Sequence, residues 1–291
     1  MTEQPGEPGT LWIVATPIGT LEDLSPRARR ILAEAQIILA EDTRVTRGLL
    51  AHAGVAAGRR LRSFHDHNER ERVPWVVGEL RQGRSVALVS DAGTPAISDP
   101  GFVLVREARA AGIAVASVPG PSAFTAALAA AGQPPLPAVL AGFLPPQRAA
   151  RRRRIAELAG WSATVAIPLS PHRLGEELAD LAAGLGDGRP ATLLAELSKL
   201  HERALTGTLG ELARSRECAS PRGEYMIVVG PPAAAPARTA TAAEVRQAYE
   251  EAAARGRGRR EALRETARRL GIGRREVFAR LLEDEREDLP R

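Results

Sequence analysis

Val86-Ala87-Leu88-Val89 runs straight into Ser90-Asp91-Ala92-Gly93-Thr94-Pro95-Ala96-Ile97-Ser98-Asp99-Pro100-Gly101, and this junction decides the fold. Four apolar residues without polar alternation read as a strand buried on both faces. The turn that follows is long and rich in glycine and proline. It ends on Asp99-Pro100, an N-cap residue followed by proline in a first helical position. Residues 102–111 are long enough for the helix so announced. Strand, turn and helix make a β-α unit, whose strands lie parallel and whose helices cover the sheet.

Working outward, the same alternation recurs. Residues 11–14, 37–40, 61–64 and 114–118 are short apolar runs, and 27–34, 44–53 and 70–81 are helix-length segments between them. The stretch 132–137 interrupts with glycine and prolines. Apolar runs then resume at 139–141, 164–167, 192–194 and 225–229. The pattern predicts an α/β fold class: a disordered tail over 1–10, an N-terminal α/β domain over 11–120 and a C-terminal α/β domain over 121–230. A proline- and alanine-rich linker follows over 231–240. An arginine-rich helical appendage then fills 241–291, with helices at 243–254, 259–270 and 274–283. The Gly271-Ile272-Gly273 turn gives it a helix-turn-helix-like pattern.

Three turns follow predicted strands of the first domain: Ala15 to Thr20, Ser90 to Gly101, and Pro119-Gly120-Pro121-Ser122-Ala123. In a parallel sheet all three lie at the carboxyl edge, where open α/β proteins bind ligands. Each alone reads as an ordinary β-α connection; together they favour a ligand site. Ser122 opens a helix whose free N–H groups suit a carboxylate. No phosphate loop of the G-x-x-x-x-G-K-[ST] type occurs, and no strand-linked G-x-G-x-x-G, which argues against a kinase or a nicotinamide enzyme.

The 291 residues carry 40 Lys+Arg against 35 Asp+Glu, with 44% hydrophobic and 26% charged residues, which excludes wholesale disorder. No apolar run approaches the roughly 20 residues of a membrane span. Residues 1–10 lack the apolar core of a secretory signal. A single cysteine, Cys218, excludes a disulfide framework and a multi-thiolate metal site. A cytoplasmic protein is expected. Lys199 is the only lysine, so arginine supplies every other basic residue. Two arginine clusters, Arg151-Arg152-Arg153-Arg154 and the segment 255–280 with Arg268, Arg269, Arg274 and Arg275, suit a nucleic-acid backbone. A solvated helix face is the alternative for each.

Several motifs, taken in order, resemble one family. They are residues 11–23, Ala40-Glu41-Asp42-Thr43-Arg44, His65-Asp66-His67-Asn68-Glu69, residues 87–101, and Val118-Pro119-Gly120-Pro121-Ser122-Ala123. Gly142-Phe143-Leu144-Pro145, Ser170-Pro171-His172-Arg173 and Glu196-Leu197-Ser198-Lys199 continue the series. The sequence resembles the bacterial ribosomal RNA small subunit methyltransferase I family, a branch of the tetrapyrrole methylases, from Leu11 to about Val229. The resemblance implies a class III methyltransferase: two α/β domains with S-adenosyl-L-methionine in the cleft between them. The family acts on the ribose 2′-hydroxyl of cytidine 1402 in 16S rRNA, within the 30S subunit, and the resemblance implies a homodimer. Carried over by position, Pro17, Gly19, Asp91, Ala92, Gly93, Thr94, Pro95, Ser122, Ala123, Phe143 and Leu197 would line the cofactor cleft.

The chain departs from the family pattern in places. Thr20 stands where asparagine is usual. Leu169 precedes Ser170-Pro171 where a glutamate is usual, and Ala195 replaces an arginine. Loss of both partners of one ion pair would explain the second departure, since a lone buried charge is costly.

Asp42 is expected either to cap a helix or to orient the acceptor ribose, with Arg44 and Arg47 clamping a phosphate. His65 and Asn68 are expected on the RNA side. No metal is expected, because histidines two apart on a loop lack further ligands and sulfonium methyl transfer needs none. Lys199 is the candidate catalytic cation, compact enough to approach a ribose oxygen. Two rivals remain open: a tetrapyrrole methyltransferase of the same superfamily, and a non-catalytic RNA-binding assembly factor.

Overall fold

The computed structural model describes residues 8–232, 240–256 and 258–287, and the chain divides into two compact units after Pro232. The expected tail over 1–7 and most of the expected linker, 233–239, lie outside the described residues. Gly9 and Thr10 already belong to the fold: Gly9 N–H donates to Leu80 O at 2.7 Å, and Thr10 O accepts from Val86 N–H at 3.0 Å.

The first sheet is built from β1 (Leu11–Val14), β2 (Ile37–Ala40), β3 (Leu61–Ser63), β4 (Val86–Val89) and β5 (Val115–Val118). Helices α1 (Pro26–Glu34), α2 (Thr43–His52), α3 (Glu69–Arg81) and α4 (Phe102–Ala110) connect or flank them. The order is β3-β2-β4-β1-β5 with every pair parallel. β4 lies between β2 and β1, and all four of its residues are buried. Phe64, Val76, Leu80 and Leu104 pack one face of this sheet, and Ile31, Leu32 and Leu50 pack the other. Buried-on-both-faces strands are what the uninterrupted apolar runs require.

The second half of this unit contains α5 (Ala123–Ala130), β6 (Ala138–Leu140), α6 (Arg148–Ala159), β7 (Thr164–Leu169), α7 (Leu174–Leu185), β8 (Pro190–Ala195), β9 (Arg203–Thr208), α8 (Leu209–Ala213) and β10 (Tyr225–Val229). Its sheet order is β6-β7-β10-β8-β9, and only β6–β7 is parallel. The strand β9 had no counterpart in the apolar-run pattern. Ile155 and Leu158 of α6, Leu178 and Leu181 of α7 and Leu212 of α8 cover one face; Ala127 and Ala131 cover the other.

The run Arg151–Arg154 lies on α6, and here the expectation of an RNA contact needs correction. Arg151 is 1% exposed. Its Nε donates to Asp180 Oδ2 at 2.8 Å, its Nη1 to Pro146 O at 3.0 Å and its Nη2 to Glu176 at 3.2 Å. Arg152 Nε donates to the other oxygen of Asp180 at 2.8 Å. Burial works against the Asp180 charge, but Arg152 and Arg151 outweigh it and hold the carboxyl below its ordinary value. Arg154 pairs with Glu157 at 2.8 Å and lies over the Trp161 ring at 5.6 Å. Only Arg153 lacks an ion pair among the described residues. Arg151 and Arg152 fasten α6 to α7, and the buried guanidinium of Arg151 takes the carboxylate and carbonyl partners that burial requires.

The second unit holds α9 (Ala242–Ala254), α10 (Arg259–Leu270) and α11 (Arg274–Glu287). Thr241 and Glu244 form a capping box on α9, and Gly271 ends α10 in the left-handed conformation that glycine tolerates. Val245, Ala262 and Val277 are its buried centre. Arg269 forms an ion pair with Glu251, whereas Arg268, Arg274 and Arg275 have none among the described residues. No helix among the described residues is long and apolar enough to cross a membrane.

Candidate active site

The carboxyl ends of the adjacent strands β4, β1 and β5 release the three glycine- and proline-rich turns side by side. Thr16, fully buried, ties two of them together. Its N–H donates to Gly93 O at 2.8 Å, Gly93 N–H returns a bond to Thr16 O at 3.1 Å, and Thr16 Oγ1 donates to Ser90 O at 3.1 Å. Thr94 Oγ1 donates to Pro121 O at 3.3 Å and joins the third turn. Gly93 has φ +83°, a conformation side chains avoid. At the far end of the turn, Gly101 (φ +132°) leaves no room for a Cβ, which would stand 2.5 Å from Leu88 Cδ2.

These turns form one wall of a cleft of about 330 Å³. Ala92, Gly93, Thr94, Ser122, Ala123, Phe143 and Leu197, all anticipated, line it. Pro17, Gly19, Asp91 and Pro95 do not. Pro17 and Pro95 are buried behind the wall, and Asp91 Oδ1 accepts the Asp42 N–H at 3.0 Å. Gly19 serves contact between loops: a Cβ there would lie 2.6 Å from Ser198 O. The opposite wall was not anticipated from sequence. It consists of Pro168, Leu194, Tyr225 and Met226 from the ends of β7, β8 and β10, with Gly223 and Glu224. Ile97 and Phe143, strongly exposed apolar side chains, stand on the rim.

Ser122 is extended and its side chain caps nothing, so the first N–H groups of α5 open toward the cleft that Ser122 and Ala123 line. Asp99 lines the cleft as well. Burial pushes its carboxyl above the ordinary value, against a hydrogen bond from Ser90, and Asp91 and Asp66 push the same way. Glu41 is raised for the same first reason, burial, reinforced by Asp99 and Asp91.

Asp42 is the N-cap of α2, accepting Arg44 N–H at 2.7 Å, and it also pairs with the Arg44 guanidinium at 2.6 Å. The side-chain and backbone hydrogen bonds of Arg44 hold its carboxyl down at about 2. So weak a base is a poor proton acceptor. Arg44 and Arg47 both face solvent. His65 and Asn68 form a closed local cluster: Asn68 Oδ1 accepts His65 N–H at 2.9 Å, and Asn68 Nδ2 contacts His65 Nε2 at 3.2 Å and Ser63 Oγ at 3.2 Å. His65 Nδ1 is buried without a partner. Glu69, the last residue of that motif, is buried and reaches the end of the Ser90–Gly101 turn instead.

Lys199 does not line the cleft. Its ammonium lies 3.0 Å from Glu196 and 3.2 Å from Glu224. Burial opposes its charge, but the hydrogen bonds to Glu196 and Glu224 prevail and raise its pKa. Lys199 is therefore a charged clip on the wall residue Glu224, not a free ammonium. Glu196 Oε1 also accepts Glu224 N–H at 2.8 Å, and Gly223 is glycine because a Cβ would run into that carboxylate. The same loop clasps the first half of the unit. Thr20 Oγ1 donates to Ser198 O at 2.6 Å, and Ser198 Oγ donates to Asp23 at 2.7 Å. All four non-glycine residues with positive φ among the described residues lie in the Ser90–Gly101 turn (Ala96 and Ser98) or in the loop that carries Lys199 (Glu196 and Ser198). Such backbone strain collects at functional sites.

Leu169 and Ala195 both register against Tyr225, one from each neighbouring strand, and Ala195 registers in turn against Arg203. Directly opposed residues share a face, so the two positions do stand on one row of the sheet. Arg203 occupies the next place in that row. It pairs with Glu217, and its Nη2 donates to Tyr225 Oη at 3.3 Å. The small Ala195 lies between Arg203 and Tyr225 in the row.

The tetrapyrrole (corrin/porphyrin) methylases match residues 10–213. Ribosomal RNA small subunit methyltransferase I of Xylella fastidiosa (strain Temecula1) is 50% identical over 224 residues, 76% of this chain and 81% of that one. The protein of the same name from Pseudomonas aeruginosa is 46% identical, over 76% of this chain and 78% of its own. In fold, the chain is similar to a cobalt precorrin-4 methyltransferase of cobalamin biosynthesis, with TM-score 0.57 and 20% identity over 76% of this chain and 94% of that one. A two-half α/β unit whose cleft is walled by the carboxyl-end turns of one sheet and the strand ends of the other agrees with that match. The chain is a methyltransferase and belongs to the ribosomal RNA small subunit methyltransferase I family of the tetrapyrrole methylases.

Proposed function

We propose that the chain transfers the methyl group of S-adenosyl-L-methionine to the ribose 2′-hydroxyl of cytidine 1402 of 16S rRNA in the 30S subunit. The observation that carries the reading is the cleft joined to a family match at half identity. The residues present fit the donor. Phe143, Leu197 and Met226 offer apolar surface for an adenine ring, the open N–H groups of α5 suit a carboxylate, and Asp99 offers a carboxylate to a cationic centre. When bound, the donor supplies an electrophilic methyl on a sulfonium sulfur.

The chain's own contribution is mostly positioning. The Thr16–Gly93 bridge fixes the donor-side turns before any ligand arrives. Lys199 holds Glu224 in the wall, and one of its three N–H groups is left for a sugar oxygen. Arg44 and Arg47, with Arg268, Arg274 and Arg275 of the second unit, are the cations we assign to RNA phosphate. Accessible, unstacked nucleotides are the form in which RNA offers a ribose to such a site. The working form we propose is a homodimer.

Labelled S-adenosyl-L-methionine, 30S subunits and a tetrapyrrole acid in one incubation test the reading. Label in 16S rRNA, mapped to one ribose, is the expected result. Label in the tetrapyrrole, or in neither, overturns it.

A further inference from the structure

Beside the cleft lies a second pocket of about 320 Å³, lined mostly by charged and polar residues, with Gly223 contributing to the lining of both. Its lining residues Arg203 and Glu217 belong to a closed network with Tyr225. Tyr225 Oη donates to Glu217 at 2.5 Å and accepts from Arg203 and from the Arg222 N–H at 3.0 Å. Arg203 holds the Glu217 carboxyl below its ordinary value, against the effect of burial. Glu196, on another side, is spent on Lys199 and on the Glu224 N–H. The pocket's carboxylates are thus occupied, while Arg216 and Arg222 are exposed and have no ion pair among the described residues. His201 completes the rim.

We infer that this pocket, through Arg216 and Arg222, holds a phosphodiester of the RNA strand adjacent to the methyl acceptor. The inference deepens the RNA-methylation reading and rests on it. Two uncompensated guanidinium groups beside carboxylates that are already paired prefer an anion, and arginine forks match phosphate oxygens two at a time. The turn that carries Arg222 continues through Gly223 and Glu224 into the cleft wall and is pinned by Tyr225. A phosphate seated here is therefore held in fixed relation to the methyl donor. That geometry sets register along the strand, which phosphate contacts do without reading bases.

The test is the double variant Arg216→Gln/Arg222→Gln in the full chain, compared with the parent for equilibrium binding to 30S subunits over a salt series. Both side chains are exposed, and circular dichroism with calorimetric S-adenosyl-L-methionine affinity reports an intact fold. Loss of two phosphate contacts lowers the slope of log K against log salt by about 1.5 and weakens binding on the order of tenfold at moderate salt. An unchanged slope and affinity overturn the inference. If the parent binds with the steeper slope but methylates no RNA, the pocket stands as a phosphate contact, while the methylation reading and its placement beside a methyl acceptor fall. If the parent does not bind 30S subunits at any salt concentration, both fall.

Discussion

Glu69 Oε1 accepts the N–H of Gly101 at 3.0 Å, and the N–H of Val103 at 3.2 Å, so a residue of α3 caps the helix that follows the Ser90–Gly101 turn. Gly101, the N-cap of α4, has no side chain to do this. Glu69→Ala leaves the buried Gly101 N–H and the part-buried Val103 N–H without their acceptor, at a cost of about 1–3 kcal/mol for a buried donor and less for the part-buried one. The expected outcome is a lower melting temperature with weaker S-adenosyl-L-methionine binding. Glu69→Gln keeps an acceptor oxygen and should fall between parent and Ala. Calorimetry of melting and of donor binding measures both.

Gly93 is the sharper test of the turn. A Cβ there would meet Ile18 only at ordinary contact distance, 3.5 Å, so the obstacle is the backbone at φ +83°. Gly93→Ala should already weaken donor affinity, and Gly93→Val, with a branch at Cβ, should abolish it while circular dichroism stays native. Parental affinity in Gly93→Val would remove the turn from the site.

The arginines of α6 should separate by burial. Arg151→Ala strips a buried partner from Asp180 and is expected to destabilise by about 3 kcal/mol, the lower end for a broken buried pair because Arg152 remains. Arg153→Ala, on the exposed side, should change the unfolding midpoint by no more than about 0.5 kcal/mol. Denaturant unfolding checks both.

Asp99 gives a pH signature. Its folded carboxyl is raised above its ordinary value of 3.8, chiefly by burial. An acid raised on folding contributes stability that is complete below the unfolded pKa and lost as pH rises through the folded one. Asp99→Asn should therefore leave acid stability unchanged and make the protein more stable at neutral pH. A cationic ligand prefers the ionised carboxylate. Donor affinity in the parent should rise with pH through the raised pKa, and in Asp99→Asn it should be flat and weaker.

Lys199 offers a distinction between clip and catalyst. Lys199→Met leaves Glu196 and Glu224 facing one another without their shared cation, which should loosen the cleft wall and slow methylation. Lys199→Arg restores the charge with a bulkier fork, and a misplacement of about 1 Å costs on the order of 100-fold in rate. Single-turnover methylation at saturating donor and 30S subunits measures this; a parental rate for Lys199→Arg would confine the lysine to its clip.

The parts legible in the sequence were those that local pattern controls. Doubly buried strands such as Val86–Val89 announce themselves as apolar runs, and the turns after them as glycine and proline. The edge strand β9 does not, because Arg203, Leu205 and Gly207 are half-buried at most and no run forms. The antiparallel pairing of β7, β10 and β8 was equally hidden, since strand direction leaves no local mark. The four consecutive arginines Arg151–Arg154 of α6 look alike in sequence. Their difference is made by Asp180, 29 residues from Arg151, which only folding brings near. The second cleft wall was missed for the same reason: Leu194 and Met226 are ordinary core residues until the two sheets face each other.

The clasp between Thr20 and Ser198 joins residues 178 positions apart. The strands of the first sheet, by contrast, are complete by Val118. On a growing chain extended at about 5–20 residues per second, roughly 9–36 s separate the synthesis of the two partners. The first sheet can thus gather while its Gly19–Asp23 loop still waits for a distant stretch of chain. A chain truncated before Ser198 lacks one side of that clasp and also the cleft-wall residues Gly223 to Met226.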